Sequence, residues 1–244
     1  MDGKKIEARL RKRVSKALAS YRLIEDGDHL LIALSGGKDS LFLTELLGQR
    51  SQINYPKFKV CAVHVRMENI PYESDTQYLE DFCNKYHVEL HIITTKFNPE
   101  PQKEGQRKKP ECFLCAWQRR KQIFNLAQEL GCNKICLGHH MDDIIHTALL
   151  NEIFEGQFTS MPVKLRLRKM PLTIIRPLDM CHEEDIKTYA EQQGYRKQKK
   201  LCPFEKETHR ARIAELFRQM EAMNPEARYS IWHALETDNK LVEE

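Results

Sequence analysis

Ser35-Gly36-Gly37-Lys38-Asp39-Ser40 places two glycines, a cation and a carboxylate within six residues, behind an apolar run over 29–34 and ahead of the helical pattern Leu41, Leu43, Leu46, Leu47. A glycine turn between a buried strand and a helix lets backbone approach an anion closely, and the helix N-terminus adds amide donors and a favourable dipole. Lys38 would set a fixed positive charge beside phosphates, and Asp39 would suit a magnesium ion bridging them. The plainer reading gives Asp39 to helix initiation and Lys38 to the surface. The common phosphate loop GxxxxGK[ST] is absent, because only Ser35-Gly36-Gly37 precedes Lys38 and Asp39 follows it.

A second polar turn, Gly138-His139-His140-Met141-Asp142-Asp143, follows an apolar run ending at Leu137 and opens another helical pattern. Asp142 and Asp143 are candidate magnesium ligands, and His139 could contact phosphate or move a proton. Their bland role is to cap the helix that begins there. Gly138, His139 and, more weakly, His64 at the end of the second strand join the Ser35–Ser40 loop as candidate nucleotide contacts, with His64 beside the adenine.

Cys112 and Cys115 are spaced C-x-x-C at the start of a helical segment, which sets two sulfurs on one face. Such a pair can be a redox couple, half of a zinc site or ordinary packing. Cys202 lies in a polar loop rather than on an apolar face and supplies a third thiolate, whereas Cys61, Cys136 and Cys83 fall in strands or a helix where packing is the default. Cys132 and Cys181 lie near turns. Three thiolates suit a cubane iron–sulfur cluster with one open iron, or a zinc with a further ligand.

Positioning these residues requires a regular alternation. Apolar runs near 29–34, 58–65, 89–94, 134–137 and 172–175 read as strands, separated by helical patterns near 41–47, 75–86, 112–130 and 142–154. Five strands alternating with helices predict a doubly wound α/β fold with a parallel sheet, and ligands in such sheets bind at the carboxyl ends of the strands, near the switch in strand order. We expect a basic amphipathic N-terminal helix in 1–25, a nucleotide-binding domain in 26–203 and a helical extension in 204–244.

The chain has 244 residues, of which 41% are hydrophobic and 30% charged, the balance of a globular protein. No apolar run is long enough to span a bilayer and the Lys-rich start lacks a signal-peptide core, so a cytoplasmic protein with no membrane partner is expected. Reduced thiols follow for its eight cysteines. A net charge of +4 says little, but basic residues are concentrated. Lys12 and Arg13 on the first helix, Lys108 and Lys109 in the loop 98–110, Arg119 and Arg120 after the C-x-x-C pair, and Lys164, Arg166 and Arg168 in the alternating segment 163–169 are candidate RNA contacts. A solvated helix face, a flexible loop and a half-exposed strand are the plain alternatives.

SGGKDS after a strand resembles the PP-loop of the N-type ATP pyrophosphatases, which split ATP between its α and β phosphates and transfer AMP. Taken with Cys112-Phe-Leu-Cys115, Arg119-Arg120, GHHMDD, Ile175-Arg176-Pro177-Leu178 and late Cys202, the chain resembles the tRNA 2-thiocytidine synthetase family from about Leu30 to Cys202. The resemblance implies an enzyme in which ATP adenylates the carbonyl oxygen of a tRNA pyrimidine, cytidine in that family, with release of pyrophosphate. Sulfur held on the unique iron of a [4Fe-4S] cluster then replaces the oxygen and AMP leaves. It maps Cys112, Cys115 and Cys202 to the cluster ligands, Ser35 to Ser40 to the ATP loop, and Asp39 to the magnesium-linked acid. Its implied cofactors are ATP, Mg2+ and the [4Fe-4S] cluster. Its implied partners are tRNA and a sulfur donor, such as a cysteine desulfurase or free sulfide.

One departure is that the family's best-known bacterial branch carries a second cysteine pair around the late cysteine, where this chain has only Leu201-Cys202-Pro203-Phe204. The tail from Glu207 to Glu244 carries no motif and could cap the domain, pair two copies as a homodimer or position an RNA. Two other functions stand open on residues alone. One is adenylation followed by attack of an amine, as in the related lysidine synthetases, with the cysteines on structural zinc. The other is a nucleotide- and RNA-binding protein without turnover.

Overall fold

A computed structural model describes residues 3–68, 75–96, 111–196 and 209–243, without the side chains of Glu111 and Cys112. Cys202, Lys108 and Lys109 lie outside the described residues. Along the chain run α1 (Gly3–Ser20), β1 (His29–Ala33), α2 (Lys38–Ser51), β2 (Lys59–Met67), α3 (Thr76–Lys85), β3 (Glu89–Thr95) and α4 (Glu111–Glu129). Then follow β4 (Lys134–Cys136), α5 (Met141–Glu155), β5 (Lys164–Arg166), β6 (Thr173–Ile175), α6 (Glu183–Gln192), α7 (His209–Met223), α8 (Ala227–Thr237) and β7 (Val242–Glu243).

The described strands form one sheet in the order β3-β2-β1-β4-β6-β5-β7. β1, β2, β3, β4 and β6 pair in parallel and are the five strands the apolar runs predict. The sheet nevertheless has seven strands rather than five, because β5 adds antiparallel to β6 and β7 then pairs with β5. β5 is only partly buried and alternates apolar with basic residues, and β7 has two residues, so neither leaves a buried apolar run. β5 takes Lys164–Arg166 from the alternating basic segment, and Arg168 lies in the turn that follows.

Strand geometry divides the core. Along β1, Leu30 and Ile32 face one side and Leu31 the other, as the two-residue period requires. Leu31 joins Cys61, Val63 and Ile135 beneath Leu126 and Ala127 of α4. The opposite face packs against α2 and is continuous with Ile6, Leu10, Val14 and Leu18 of α1 and with Trp232 and Leu235 of α8. From β1 the chain steps outward to β2 and β3, then returns to lay β4 on the other side of β1. That reversal opens a crevice at the carboxyl ends of β1 and β4.

α1 turns its apolar stripe inward, and part of its basic face is engaged within the fold. Arg13 Nη1 lies 2.9 Å from Asp185 Oδ2 on α6, and Arg9 pairs with the same carboxylate. Lys12 stays exposed. Among the described residues no helix is long and apolar enough to cross a membrane.

α2, the helix that follows the glycine turn, is anchored by a buried carboxylate. Glu45 is 2% exposed and accepts from the Tyr86 hydroxyl at 2.8 Å, the Tyr195 hydroxyl at 2.7 Å and the Tyr189 hydroxyl. Burial first, and then the adjacent Glu45, push all three phenols above their ordinary range, so they remain donors. Glu45→Ala leaves these hydroxyls without their acceptor and should lower the unfolding free energy by about 3 kcal/mol or more. Tyr189→Phe, which deletes one bond to a charged group, should cost about 1.5–3 kcal/mol. Urea denaturation of the two variants checks both values.

Candidate active site

The Ser-Gly-Gly turn leaves β1 at the crevice. Gly36 has φ +80, a left-handed conformation that a side chain would strain. Gly37 is the N-cap of α2, and no side chain caps that helix. The turn is held by its serines: the Gly36 amide donates to Ser40 Oγ at 3.1 Å, Ser40 Oγ donates to the Gly37 carbonyl at 2.9 Å, and the Gly37 amide donates to Ser35 Oγ at 3.3 Å. A glycine-bounded helix start with no capping side chain is a ready anion site.

Lys38 Nζ lies 3.0 Å from Asp39 Oδ2 and 3.1 Å from Glu183 Oε1 at the start of α6. Burial opposes its charge, yet the two carboxylates outweigh burial and hold its pKa above the ordinary value. Lys38 therefore stays cationic. The other oxygen of Asp39, Oδ1, is buried without a hydrogen bond, with His140 Nε2 standing off at 4.0 Å. A buried carboxylate oxygen left unpaired is costly, and a hard cation is the natural partner for it.

The second turn meets the first at close range. A Cβ placed on Gly138 would lie 3.2 Å from the Asp39 carbonyl carbon and 3.2 Å from the Ser40 amide nitrogen, both backbone atoms that cannot swing aside. His140 caps α5, with its Nδ1 accepting from the Asp143 amide at 3.4 Å while Asp143 Oδ2 accepts from the His140 amide at 3.2 Å. The capping role read from sequence thus falls to Asp143. Its neighbour Asp142 accepts from the Glu183 amide at 2.8 Å and from Arg228 Nη1 on α8 at 2.6 Å. Burial resists ionisation of Asp142, but Arg228 and that amide prevail and hold its pKa below the ordinary value. Of the three acids considered for magnesium, Asp39 is the one with a buried oxygen lacking a partner.

His139 Nδ1 accepts from Arg176 Nε at 3.2 Å. Burial, then the Arg176 charge, pulls the His139 pKa down to about 4. The imidazole is therefore neutral near pH 7 and carries its proton on Nε2, a donor aimed away from Arg176. Burial also lowers Arg176, to about 10, which leaves it charged at neutral pH. Deeper in the sheet, burial and the nearby Arg119 and Arg66 charges keep His64 below its usual pKa. Its Nδ1 lies 2.8 Å from the Leu34 carbonyl, so His64 steadies the backbone entering the Ser35 turn.

α4 brings its first turns to the same edge. Gln118 Nε2 donates to Thr95 Oγ1 at the carboxyl end of β3 at 3.3 Å, and half-buried Cys115 lies one turn earlier on the helix. The Arg119 charge helps to keep His64 neutral, and the Arg120 charge helps to lower Arg176. Lys164 pairs in register with Ile175 at the carboxyl end of β6, while antiparallel β5 carries exposed Arg166 back towards the amino edge, opposite Thr173, with Arg168 in the turn beyond. That stripe leads away from the nucleotide turn.

Residues 5–233 match the family described as PP-loop domain. The chain belongs to that family. It is 32% identical over 238 residues to the tRNA-cytidine(32) 2-sulfurtransferase of Pseudomonas syringae pv. syringae (strain B728a), covering 95% of this chain and 84% of the relative. The protein of the same name from Shewanella woodyi (strain ATCC 51908 / MS32) is 34% identical over 236 residues, covering 96% and 73%. In fold, the chain matches the U34-tRNA thiolase NcsA from Methanococcus maripaludis with its [4Fe-4S] cluster, at TM-score 0.78 and 23% identity over 99% of this chain and 81% of that one.

Arg228 and Glu183 belong to the polar framework of this PP-loop site, and sequence reasoning passed over both. No local motif marks Arg228, whose partner lies 86 positions away. Arg176 was visible within the Ile175-Arg176-Pro177-Leu178 motif but without a role.

Two outcomes follow from this geometry. Gly138→Ala must push the PP-loop and the β4–α5 turn apart, so ATP affinity measured by calorimetry should fall roughly tenfold or more, about 1.4 kcal/mol. Arg228→Gln removes one partner of a pair whose side chains are each 11% exposed, and should cost about 3 kcal/mol at pH 7. The folded pKa of Asp142 is depressed, so its stabilisation is present above the ordinary aspartate value of about 3.9 and is lost as pH falls through the lower folded value. Denaturation curves of wild type and Arg228→Gln should therefore converge in acid.

Proposed function

We infer that this chain is an ATP-dependent tRNA sulfurtransferase that adenylates a pyrimidine carbonyl, that of cytidine, before sulfur replaces the oxygen. The observation that carries this reading is the PP-loop: a glycine anion turn joined to a buried, unpartnered Asp39 oxygen, with the C-x-x-C helix reaching the same sheet edge. Near full-length similarity to proteins named tRNA-cytidine(32) 2-sulfurtransferase supports the choice of acceptor.

Ser35, Gly36, Gly37 and the first turn of α2 receive the phosphates of ATP through backbone amides. Lys38 balances their charge. Asp39 would hold a magnesium ion, which would supply positive charge to the phosphates. Neutral His139 donates from Nε2 to a phosphate oxygen, with Arg176 fixing its ring. The base carbonyl oxygen attacks the α-phosphorus, pyrophosphate leaves, and the adenylated carbon then exchanges AMP for sulfur. Arg119 and Arg120 meet the RNA backbone, and Lys12, Lys108, Lys109, Lys164, Arg166 and Arg168 are further contacts, while Arg13 already pairs with Asp185 within the fold.

Half-buried Cys115 on the edge nearest the nucleotide fits a thiolate ligand set, which Cys112 and Cys202 complete. When bound there, a [4Fe-4S] cluster supplies an iron with an open position for sulfide. The sulfur comes from a cysteine desulfurase or from free sulfide, in the reducing cytoplasm that keeps these thiols available.

The deciding experiment pairs metal analysis with nucleoside mass spectrometry. Protein purified anaerobically should carry about four irons and four sulfides per chain, as the cluster formula requires. tRNA from cells lacking the protein should lack 2-thiocytidine, and a Cys112→Ala gene should fail to restore it. Full thiolation by Cys112→Ala, or iron-free protein with full activity, overturns the reading.

A further inference from the structure

The amino edge of the sheet, a strand's length from the PP-loop, gathers a second set of soft ligands. His29 opens β1, Cys61 lies on neighbouring β2, and Cys132 stands in the turn from α4 into β4. Cys61 Sγ lies 3.9 Å from His29 Nε2 and 3.9 Å from Cys132 Sγ, and the three ligand atoms fall within 4.8 Å of one another. Two sulfurs bound at ~2.3 Å to a tetrahedral ion stand about 3.8 Å apart. The observed spacing is already that of a tetrahedral edge.

The surrounding framework fixes these ligands mainly through neighbouring groups, with one contact from a ligand atom, the Cys61 thiol donating to the Leu30 carbonyl at 3.5 Å. The His29 amide donates to Asn133 Oδ1 at 2.8 Å, and the Asn133 amide donates back to the His29 carbonyl at 3.0 Å. Asn133 Nδ2 in turn donates to Asp28 Oδ1 at 2.7 Å, and Lys134 Nζ lies 2.7 Å from Asp28 Oδ2. This locks the Cys132 turn against the start of β1, the kind of outer support that orients metal ligands. The two sulfurs are buried, while His29 is partly exposed and gives an ion a way in.

We propose that His29, Cys61 and Cys132 form a zinc site, separate from the nucleotide site, that staples β1, β2 and the α4–β4 turn. Water, or Glu89 beside Cys61 on β3, completes the tetrahedron. Two thiolates and a neutral imidazole neutralise Zn2+, and the donor set excludes hard cations such as magnesium. Binding releases the thiol protons and involves no oxidation.

The test uses the full chain with Cys112, Cys115 and Cys202 changed to Ala, so that competing thiolates are gone. After dialysis against Zn2+ in reducing buffer, elemental analysis should find one zinc per chain. Cobalt in its place should give a thiolate charge-transfer band. Adding Cys132→Ser should abolish the band. Adding His29→Gln, at a partly exposed position that the core does not need, should weaken zinc binding at least about tenfold while circular dichroism stays unchanged. No retained zinc in the parent chain, a Cys61–Cys132 disulfide in its place, or equal zinc affinity with and without His29→Gln overturns the proposal.

Discussion

The close approach of Gly138 to the backbone of Asp39 and Ser40 sets the geometry on which the rest of the site depends. A parallel sheet that winds outward from β1 and then returns to its other side must bring two strand–helix turns together at the carboxyl edge. Each turn starts a helix, so each offers amide donors and a dipole to the same volume. A side chain at the meeting point would hold the turns apart. The glycine therefore converts a topological consequence into a site narrow enough for backbone to surround an anion.

Bringing two helix starts together also concentrates acids, since Asp39, Asp142 and Asp143 all lie in first turns. The fold distributes their work. Asp143 closes a capping box, Asp142 is taken by Arg228 from the far end of the chain, and Asp39 shares Lys38 with Glu183. Only the last arrangement leaves a buried carboxylate oxygen without a partner among these three acids. Arg228 thus occupies the Asp142 carboxylate and ties α8, whose Trp232 and Leu235 share the main core, to the start of α5.

What the sequence made legible was what is local. The glycine turn could be read because strand, turn and helix are contiguous, and the five parallel strands because each buried strand leaves an apolar run. β5 and β7 could not be read as sheet members: their pairing is a long-range choice of edge, and β7 has two residues. The basic stripe of α1 was equally ambiguous. Arg9 and Arg13 spend charge on Asp185, which lies 176 and 172 positions on, and nothing near either arginine announces that partner. The Asp142–Arg228 pair hides for the same reason. Electrostatic partners are set by tertiary packing, whereas helix and strand periods are written along the chain.

The cysteines carry this distinction furthest, because identical side chains are sorted only by surroundings. Burial pushes the Cys83 thiol up to about 12 and raises Cys136 and Cys181 as well, which makes all three inert apolar filler at neutral pH. Cys115 instead sits half-buried in the first turns of α4, where the sheet ends and the crevice begins. Cys61 looks from its strand position like filler too, yet its sulfur faces a second sulfur and an imidazole rather than hydrocarbon alone. A strand assignment predicts that a cysteine is buried but not what it is buried against. Since α4 spans the sheet face from one edge to the other, its early turns bring Cys115 to the carboxyl edge and the turn after it delivers Cys132 to the opposite edge. One helix thereby keeps Cys115 and Cys132 apart by its own length, so that the two sulfurs belong to opposite edges of the sheet.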